Sequence, residues 1–571
     1  MRSVVVLAVA VLVLPAFGQP DPPREWLVVR DTFPEFRGVP DSVIVARDMA
    51  PGTGIYEYCA GPIGFHSPVT DVNVSSCILV ALADSCDSVM YFSRLSYWCH
   101  WDDPVRITPP QPDPCCPSYN VAASKVSQDV CLTWVYSPDG YSQKPGFFRI
   151  STDGGENWGD PTQLLWPPAY GGETLVSYHA SSLFPFYDAR GDLHIMAAVG
   201  PFLNDTNFIL PAEIWHWNQT YPWWSRVHRA DPESLRAPVG FNALIAGRPS
   251  LGAAPGPFDL ICTWEEFDGY NVDTVTGQLR ADIWTSYSDD GGDHWTPAER
   301  GTGPGSGASH RFPSICDLAI EGVSYDTCLV QYIVDQEAGF ACLGEGSATQ
   351  NSVVVAKFHW WGPWLVDTIG GTTQDMQCLG PAVRTLCNSE DYGVHVAWEH
   401  STYQSGGFPD LNTRYNFYDY SAGWNWIDPD YMQSGVNVFT KRTAMGRLSA
   451  DPNTGCALVS GHYLPRTGMA ERKPTAYSSQ PTATICRGVL RIADGRRKTV
   501  DGADLRDVTG RKVMELQPGE NDIRHIAPGV YFVVTPSPLP SPPEGERRKE
   551  RGPRSAVSEE RSAVRKVVIQ R

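Results

Sequence analysis

STDGGENWGDP, Ser151 to Pro161, sets Ser151, Asp153, Gly155 and Trp158 at fixed offsets. SDDGGDHWTP repeats those offsets with Ser288, Asp290, Gly292 and Trp295. The spacing has a local cause. An aspartate in a tight turn accepts backbone N–H bonds, a glycine there tolerates positive φ, and the tryptophan packs its ring beneath the turn. A turn built this way closes a hairpin, and its recurrence points to a repeated unit.

Around these turns the chain repeats loosely from about residue 30 to residue 482. Segments such as DVCLTWVYSPDG, FDLICTWEEFDG and YGVHVAWEH alternate apolar and polar residues and stop at a Gly or Asp turn. Each reads as a half-buried strand followed by a reversal. Turn tryptophans recur at Trp101, Trp158, Trp224, Trp295, Trp364 and Trp426, spaced 57 to 71 residues apart. Unequal spacing with a constant strand order is what loop insertions on a repeated blade produce. The expected fold class is all-β: a β-propeller of six or seven four-stranded blades over residues 25–482. Seven is the expected count, because SVIVARDM and IYEYCAG near the N-terminus lack a blade of their own. Paired with the last cycle, GRLSADPNTGCALVSGHY, they would close the ring; a degenerate last cycle would leave six.

The Ser-x-Asp-x-Gly-x-x-Trp pattern resembles the Asp-box of sialidases and related propellers. That resemblance implies a position on the outer turn between the last two strands of a blade, away from substrate. It bears on fold and hardly at all on catalysis. Sialidases also hold the substrate carboxylate with three arginines. They use a Tyr–Glu nucleophile pair and an Asp as acid or base, outside the usual two-carboxylate scheme. In this chain arginines recur at one register, opening four inner strands: Arg248 in GRPS, Arg311 in HRFPS, Arg384 in AVRTL and Arg447 in GRLS. Carboxylates follow the second strand at Glu265 in TWEE and Glu399 in AWEH. These six residues either line the central face and bind an anionic glycan, or repeat because the blade repeats, each Arg satisfying loop carbonyls. No Arg-Ile-Pro-like motif is present, FRGVP with Arg37 being a poor substitute, and no Tyr–Glu pair stands out, so catalytic residues are unassigned. The expected function is a glycan- or protein-binding module. The alternative is a sialidase-like glycoside hydrolase, or another glycan-active enzyme, using the same central face. The aromatics of WHWNQTYPWW, Trp215 to Trp224, serve either blade packing or stacking on sugar rings.

Composition narrows the setting. MRSVVVLAVAVLVLPAFGQP carries the charge, apolar run and small residues of a secretory signal peptide, assigned to residues 1–18. Its apolar run is too short to span a bilayer, and no later run of spanning length escapes charge or proline. Net charge is −19, which argues against a nucleic-acid partner. The 15 cysteines, in an exported chain, are expected to form structural disulfides with at least one left over. Asn73, Asn204 and Asn218 sit in N-x-S/T sequons. The histidines show no metal spacing, and no phosphate loop or nucleophile elbow occurs, so neither metal nor cofactor is expected. The chain is expected to be a monomer.

After Cys486 the composition shifts. LRDVTGRKV (Leu505–Val513), GENDI (Gly519–Ile523), APGVYFV (Ala527–Val533) and RKVVIQR (Arg565–Arg571) resemble, in order, the C-terminal sorting domain of type IX secretion cargo. The resemblance implies a small β-sandwich over 487–571, with Asp507, Gly510, Arg511, Gly529, Tyr531 and Lys566 at its motif positions. It also implies recognition by the outer-membrane translocon, and so a secreted or outer-cell-surface location. A Pro-rich, then charge-dense insertion at 535–564 departs from that pattern and is expected to be disordered.

Overall fold

The structure, a computed structural model, describes residues 41–463 with short gaps, and a set of strands between residues 484 and 569. They fall into two units, Met1–Arg466 and Thr467–Arg571.

The first unit is a seven-bladed β-propeller. Blade 1 comprises Val69–Val72, Ile78–Asp84, Val89–Leu95 and Val105–Arg106. Blade 2 runs Ser118–Ala123, Val130–Val135, Gly146–Ser151 and Thr162–Leu164. Blade 3 is Ser177–Tyr187, Leu193–Leu203, Ala212–Asn218 and Trp224–Ala230, and blade 4 is Ala246–Ala253, Leu260–Val272, Leu279–Ser288 and Glu299–Arg300. Blade 5 follows as Ser309–Ile315, Cys328–Asp335, Asn351–Phe358 and Leu365–Thr372. Blade 6 is Leu386–Asn388, Gly393–His400, Asn412–Asp419 and Gly423–Trp424. Every blade is an antiparallel meander. Turns joining strands one to two and three to four therefore share one face of the disc, and turns two to three lie on the other.

Blade 7 joins the two ends of the ring. Its strands, in order, are Thr443–Ala450, Ala457–Tyr463, Asp41–Asp48 and Ile55–Gly64, with Val43 opposite His462 and Arg47 opposite Leu458. The expected seventh blade is thus formed from both ends, and the six turn tryptophans mark the other six. Each tryptophan lies at or beside the connection between the third and fourth strands of blades 1 to 6.

First strands of neighbouring blades touch one another all the way round, so they form the innermost ring. The core is divided among the seven seams between blades, each filled by its own apolar cluster. This changes one expectation. Second strands were read as half-buried, yet Val130–Val135 and Gly393–His400 are buried at every position. A blade has a neighbour on both faces, so both sides of its inner strands are covered.

Both Ser-x-Asp-x-Gly-x-x-Trp segments connect third to fourth strands. Ser151 Oγ accepts the Gly155 N–H at 2.8 Å and Asp153 Oδ1 accepts that of Asn157 at 2.8 Å. Ser288 and Asp290 repeat this with Gly292 and His294, at 2.8 and 2.9 Å. Gly155 and Gly292 both have φ +92°. The glycine is also needed for space: a Cβ on Gly155 would meet Phe92 of blade 1 at 2.4 Å. Blade 7 has a counterpart without the motif. There Asp48 Oδ2 accepts the Gly52 N–H at 3.1 Å, and Gly52 lies over Phe417 of blade 6.

The expected disulfides are absent among the described residues. Nine cysteines there form no disulfide, and seven of them are buried. Cys131, Cys262, Cys328 and Cys387 lie in strands and the others in turns or loops, and the buried ones pack as small apolar side chains. Asn73 and Asn218 are buried and bonded within the fold, and Asn204 lies outside the described residues. Among the described residues no helix is long and apolar enough to cross a membrane; the helical elements are two single 3-10 turns.

The second unit contains a five-stranded sheet ordered Thr484–Cys486, Ala563–Ile569, Gly529–Thr535, Ala503–Asp507, Lys512–Leu516, and a two-stranded pair, Val489–Ile492 with Gly519–Asp522. Asp507, Gly529, Tyr531 and Lys566 lie in strands of the larger sheet, Lys566 opposite Phe532, and Arg511 immediately precedes one. Gly510 and residues 536–562 of the insertion lie outside the described residues.

Candidate functional site

The four arginines do not share one register. An identical bulge interrupts the inner strands of blades 4, 5 and 7, between Gly247 and Ser250, Arg311 and Ser314, and Ala444 and Arg447. Arg248, Phe312 and Met445 occupy the same place in it, with φ of 52°, 57° and 58°. Arg248 therefore lies inside the bulge, Arg311 opens it and Arg447 closes it, while Arg384 precedes its strand. Aligning the segments on arginine hid this, because a bulge adds one residue to one strand only.

The four separate into two pairs with different surroundings. Arg248 and Arg311 both close on Glu265, which is buried. Arg311 donates through Nε at 3.0 Å and Nη2 at 3.2 Å, Arg248 donates through Nη1, and the Phe312 N–H adds a bond at 3.0 Å. The Arg311 guanidinium, 2% exposed, is packed about 5 Å from the Phe267, Phe312 and Phe340 rings. Burial alone would raise the Glu265 carboxyl, but the two guanidinium charges hold it at about 2. This is a closed ion cluster with no free acceptor. Below it lies a water-sized void of about 20 Å³ beside Arg248, Gln331, Gln377 and Cys378.

Arg384 and Arg447 line a larger space. An axial cavity of about 410 Å³ receives residues from all seven blades, among them Asp71, Asn120, Phe184, Ala253, Asp317, Arg384 and Arg447. It reaches the one-to-two turns at Lys125, Asp188, Ser389 and Asp451, so it opens on the face that carries the turns at 151–161 and 288–298. Its buried and half-buried carboxylates are occupied, whereas Glu390 and Asp391, which also line it, are exposed in the turn after Asn388. Asp71 accepts Lys125 Nζ at 2.7 Å, Ser449 Oγ at 2.6 Å and the Ala123 N–H at 2.8 Å, which keeps its carboxyl below the ordinary range against the effect of burial. Asp317 accepts the N–H groups of Leu318 and Asn388, and Asp451 holds Arg47 and Ser76.

The two cavity arginines differ from these acids. Arg384 donates only to backbone, to Ile315 O at 3.0 Å and Leu251 O at 2.9 Å, and stacks near Phe184 and Phe186. Arg447 is 5% exposed, donates to Gly446 O at 3.0 Å, and has a buried Nε without a partner. Among the described residues neither has a carboxylate within ion-pair distance. Burial pushes the Arg447 guanidinium pKa down. Glu399 stands behind Arg447 and does not line the cavity. One of its oxygens accepts the Gly446 N–H and Thr413 Oγ1, and the other has no partner. Burial raises its carboxyl to about 7, so near neutral pH it does not fully compensate Arg447.

Sequence reading therefore located the arginines and missed the groups that build the cavity with them. Asp71 and Ser449 sit near the ends of first strands, Asn120 within one, and Lys125 and Asp317 in the turns beyond. Their only shared signal is placement on or just past a first strand, which appears once blade boundaries are known.

No protein-family model matches the chain, and no curated protein matches it in sequence. Among solved structures the chain is loosely similar to several carbohydrate-active proteins. An α-L-arabinanase of Penicillium chrysogenum is 12% identical over 68% of this chain and 99% of its own, with a TM-score of 0.37. An ulvan lyase, from a new polysaccharide lyase family, is 9% identical over 68% of this chain and 90% of its own, with a TM-score of 0.39. A Hadza microbial sialidase is 11% identical over 63% of this chain and 67% of its own, with a TM-score of 0.36.

Proposed function

We propose that this chain is an exported binding module whose axial cavity takes the acidic group of a glycan. The observation that carries the reading is Arg447: a nearly inaccessible guanidinium on a cavity wall with no carboxylate partner. Buried charges are otherwise paired, because leaving water uncompensated is costly. In a chain of net charge −19, an incompletely compensated cation on the axial cavity marks a place for an anion. A volume of about 410 Å³ lies within the range of small-ligand sites and admits a monosaccharide unit. Arg384 and the Phe184 and Phe186 rings beside it supply a second cation and an apolar wall.

Binding is favoured over hydrolysis by the state of the acids. Glycoside hydrolysis by the usual route needs two available carboxyl groups flanking the bond. Asp71, Asp188, Asp317 and Asp451 are committed to the scaffold, and Glu265 is held between two arginines away from this cavity. Glu390 and Asp391 are exposed and adjacent in one turn rather than placed on two sides of a bound sugar.

Delivery belongs to the same reading. The leader pattern of residues 1–18 and the four ordered C-terminal motifs support export through the periplasm and sorting by a type IX translocon. The paired strands Gly529–Thr535 and Ala563–Ile569 are consistent with the closing hairpin of such a domain.

Titration calorimetry against sialyl, uronate and sulfated oligosaccharides, each beside its neutral counterpart, tests the ligand class. Binding of a charged member, weakened at least tenfold by Arg447→Met, is expected. Binding to none of them, or equal binding by wild type and R447M, overturns the proposal.

A further inference from the structure

The aromatic segment 215–224 is divided by the fold. Trp217 is buried and Trp215 packs against the seam between blades 2 and 3, whereas Tyr221 is 54% and Trp223 50% exposed. These two sit in the three-to-four turn of blade 3, with ring centroids 5.1 Å apart and planes tilted by 43°. Trp223 donates its indole N–H to Asp293 Oδ1 at 2.8 Å, from the equivalent turn of blade 4. That bond uses the polar edge of the ring and leaves its apolar face to solvent. A contiguous exposed apolar patch rimmed by polar residues marks an interaction site.

We infer that Tyr221 and Trp223, with Asp293, form a second glycan surface, which takes a neutral polysaccharide. The C–H face of a sugar ring carries slight positive charge and fits the negative face of an aromatic ring. Asp293 keeps a second oxygen able to accept a sugar hydroxyl.

Charge decides among occupants. Asp289, Asp290 and Asp293 make the patch unsuitable for an acidic polymer, and so distinguish it from the axial cavity. His294, with 85% of its side chain exposed, pairs with Asp290 at 2.7 Å and offsets one of the three carboxylates, which leaves a basic segment as the competing occupant. That pairing raises the imidazole pKa. The patch lies on the face onto which the axial cavity opens, but shares no residue with it.

Affinity electrophoresis in gels containing hydroxyethylcellulose, xyloglucan or glycogen tests this with the full chain. Retardation by at least one of the three is expected. Trp223→Ala and Tyr221→Ala should each raise the apparent Kd tenfold or more, while Arg447→Met leaves it unchanged. Because both side chains are half-exposed, an unchanged far-ultraviolet dichroism spectrum and Tm verify that the variants fold. Retardation by none of the three, or wild-type retardation of W223A, overturns the inference. So does capture only by oligolysine, which would give the patch to basic proteins.

Discussion

His216 lies directly beneath Gly292: a Cβ added there would sit 2.0 Å from the imidazole Cε1, and Gly292 O accepts from His216 Nδ1 at 3.1 Å. Trp295 completes the contact, its indole N–H reaching the same carbonyl at 3.1 Å. The turn at 288–298 therefore locks blade 4 onto blade 3. The turn at 151–161 does the same to blade 1 through Phe92, whose ring meets Trp158 edge-on at 4.9 Å.

Gly292→Ala should be far more damaging than a glycine substitution of equal backbone strain elsewhere. Gly277 has φ +72° with open space around its Cβ position, so Gly277→Ala should cost about 1 kcal/mol. Gly292→Ala adds a clash with a buried ring and should exceed about 3 kcal/mol. Urea unfolding of the two variants side by side measures the difference. Equal losses would mean that the turn does not clamp its neighbour.

Glu265→Gln should destabilise the propeller strongly. It leaves Arg248 and Arg311 buried beside a neutral amide, a situation that costs about 3–5 kcal/mol in comparable pairs. Thermal unfolding near neutral pH reads the effect. A Tm close to wild type would show that the arginines find water or another acceptor.

Arg447→Met should behave oppositely, since removing an unpaired buried cation relieves a desolvation cost. Its Tm should be unchanged or higher while charged-ligand affinity is lost. A drop in Tm comparable to that of E265Q would make Arg447 a scaffold residue.

The Glu399 carboxyl is raised from 4.5 to about 7 by burial, so the folded chain holds its proton more tightly than the unfolded chain does. Its stabilising contribution is full below the unfolded value and is lost as pH rises toward 7. Over that window the loss is up to about 3 kcal/mol. Glu399→Gln removes the dependence, so the gap in Tm between E399Q and wild type should shift in favour of E399Q from pH 5 to pH 8. A constant gap would show that the carboxyl ionises normally.

What the residues alone determined was local and periodic. The Ser–Asp–Gly–Trp offsets specify a turn through bonds spanning four residues, and strand alternation with recurring turns specifies blades. The unmatched strands SVIVARDM and IYEYCAG even pointed to the closing blade, because they had no blade of their own and the last cycle was short of strands. The tertiary structure decided everything that depends on which blades meet. It showed both faces of the inner strands covered, cysteines outside any disulfide, and Tyr221 and Trp223 separated from their buried neighbours. It also showed that one-residue bulges send Arg248 and Arg311 to Glu265, and place Arg447 on the axial cavity. A bulge changes a side chain's direction without leaving a composition signal. An axial cavity is made by seven strands distant in sequence, so the partners of its charges are set by ring closure rather than by any one repeat.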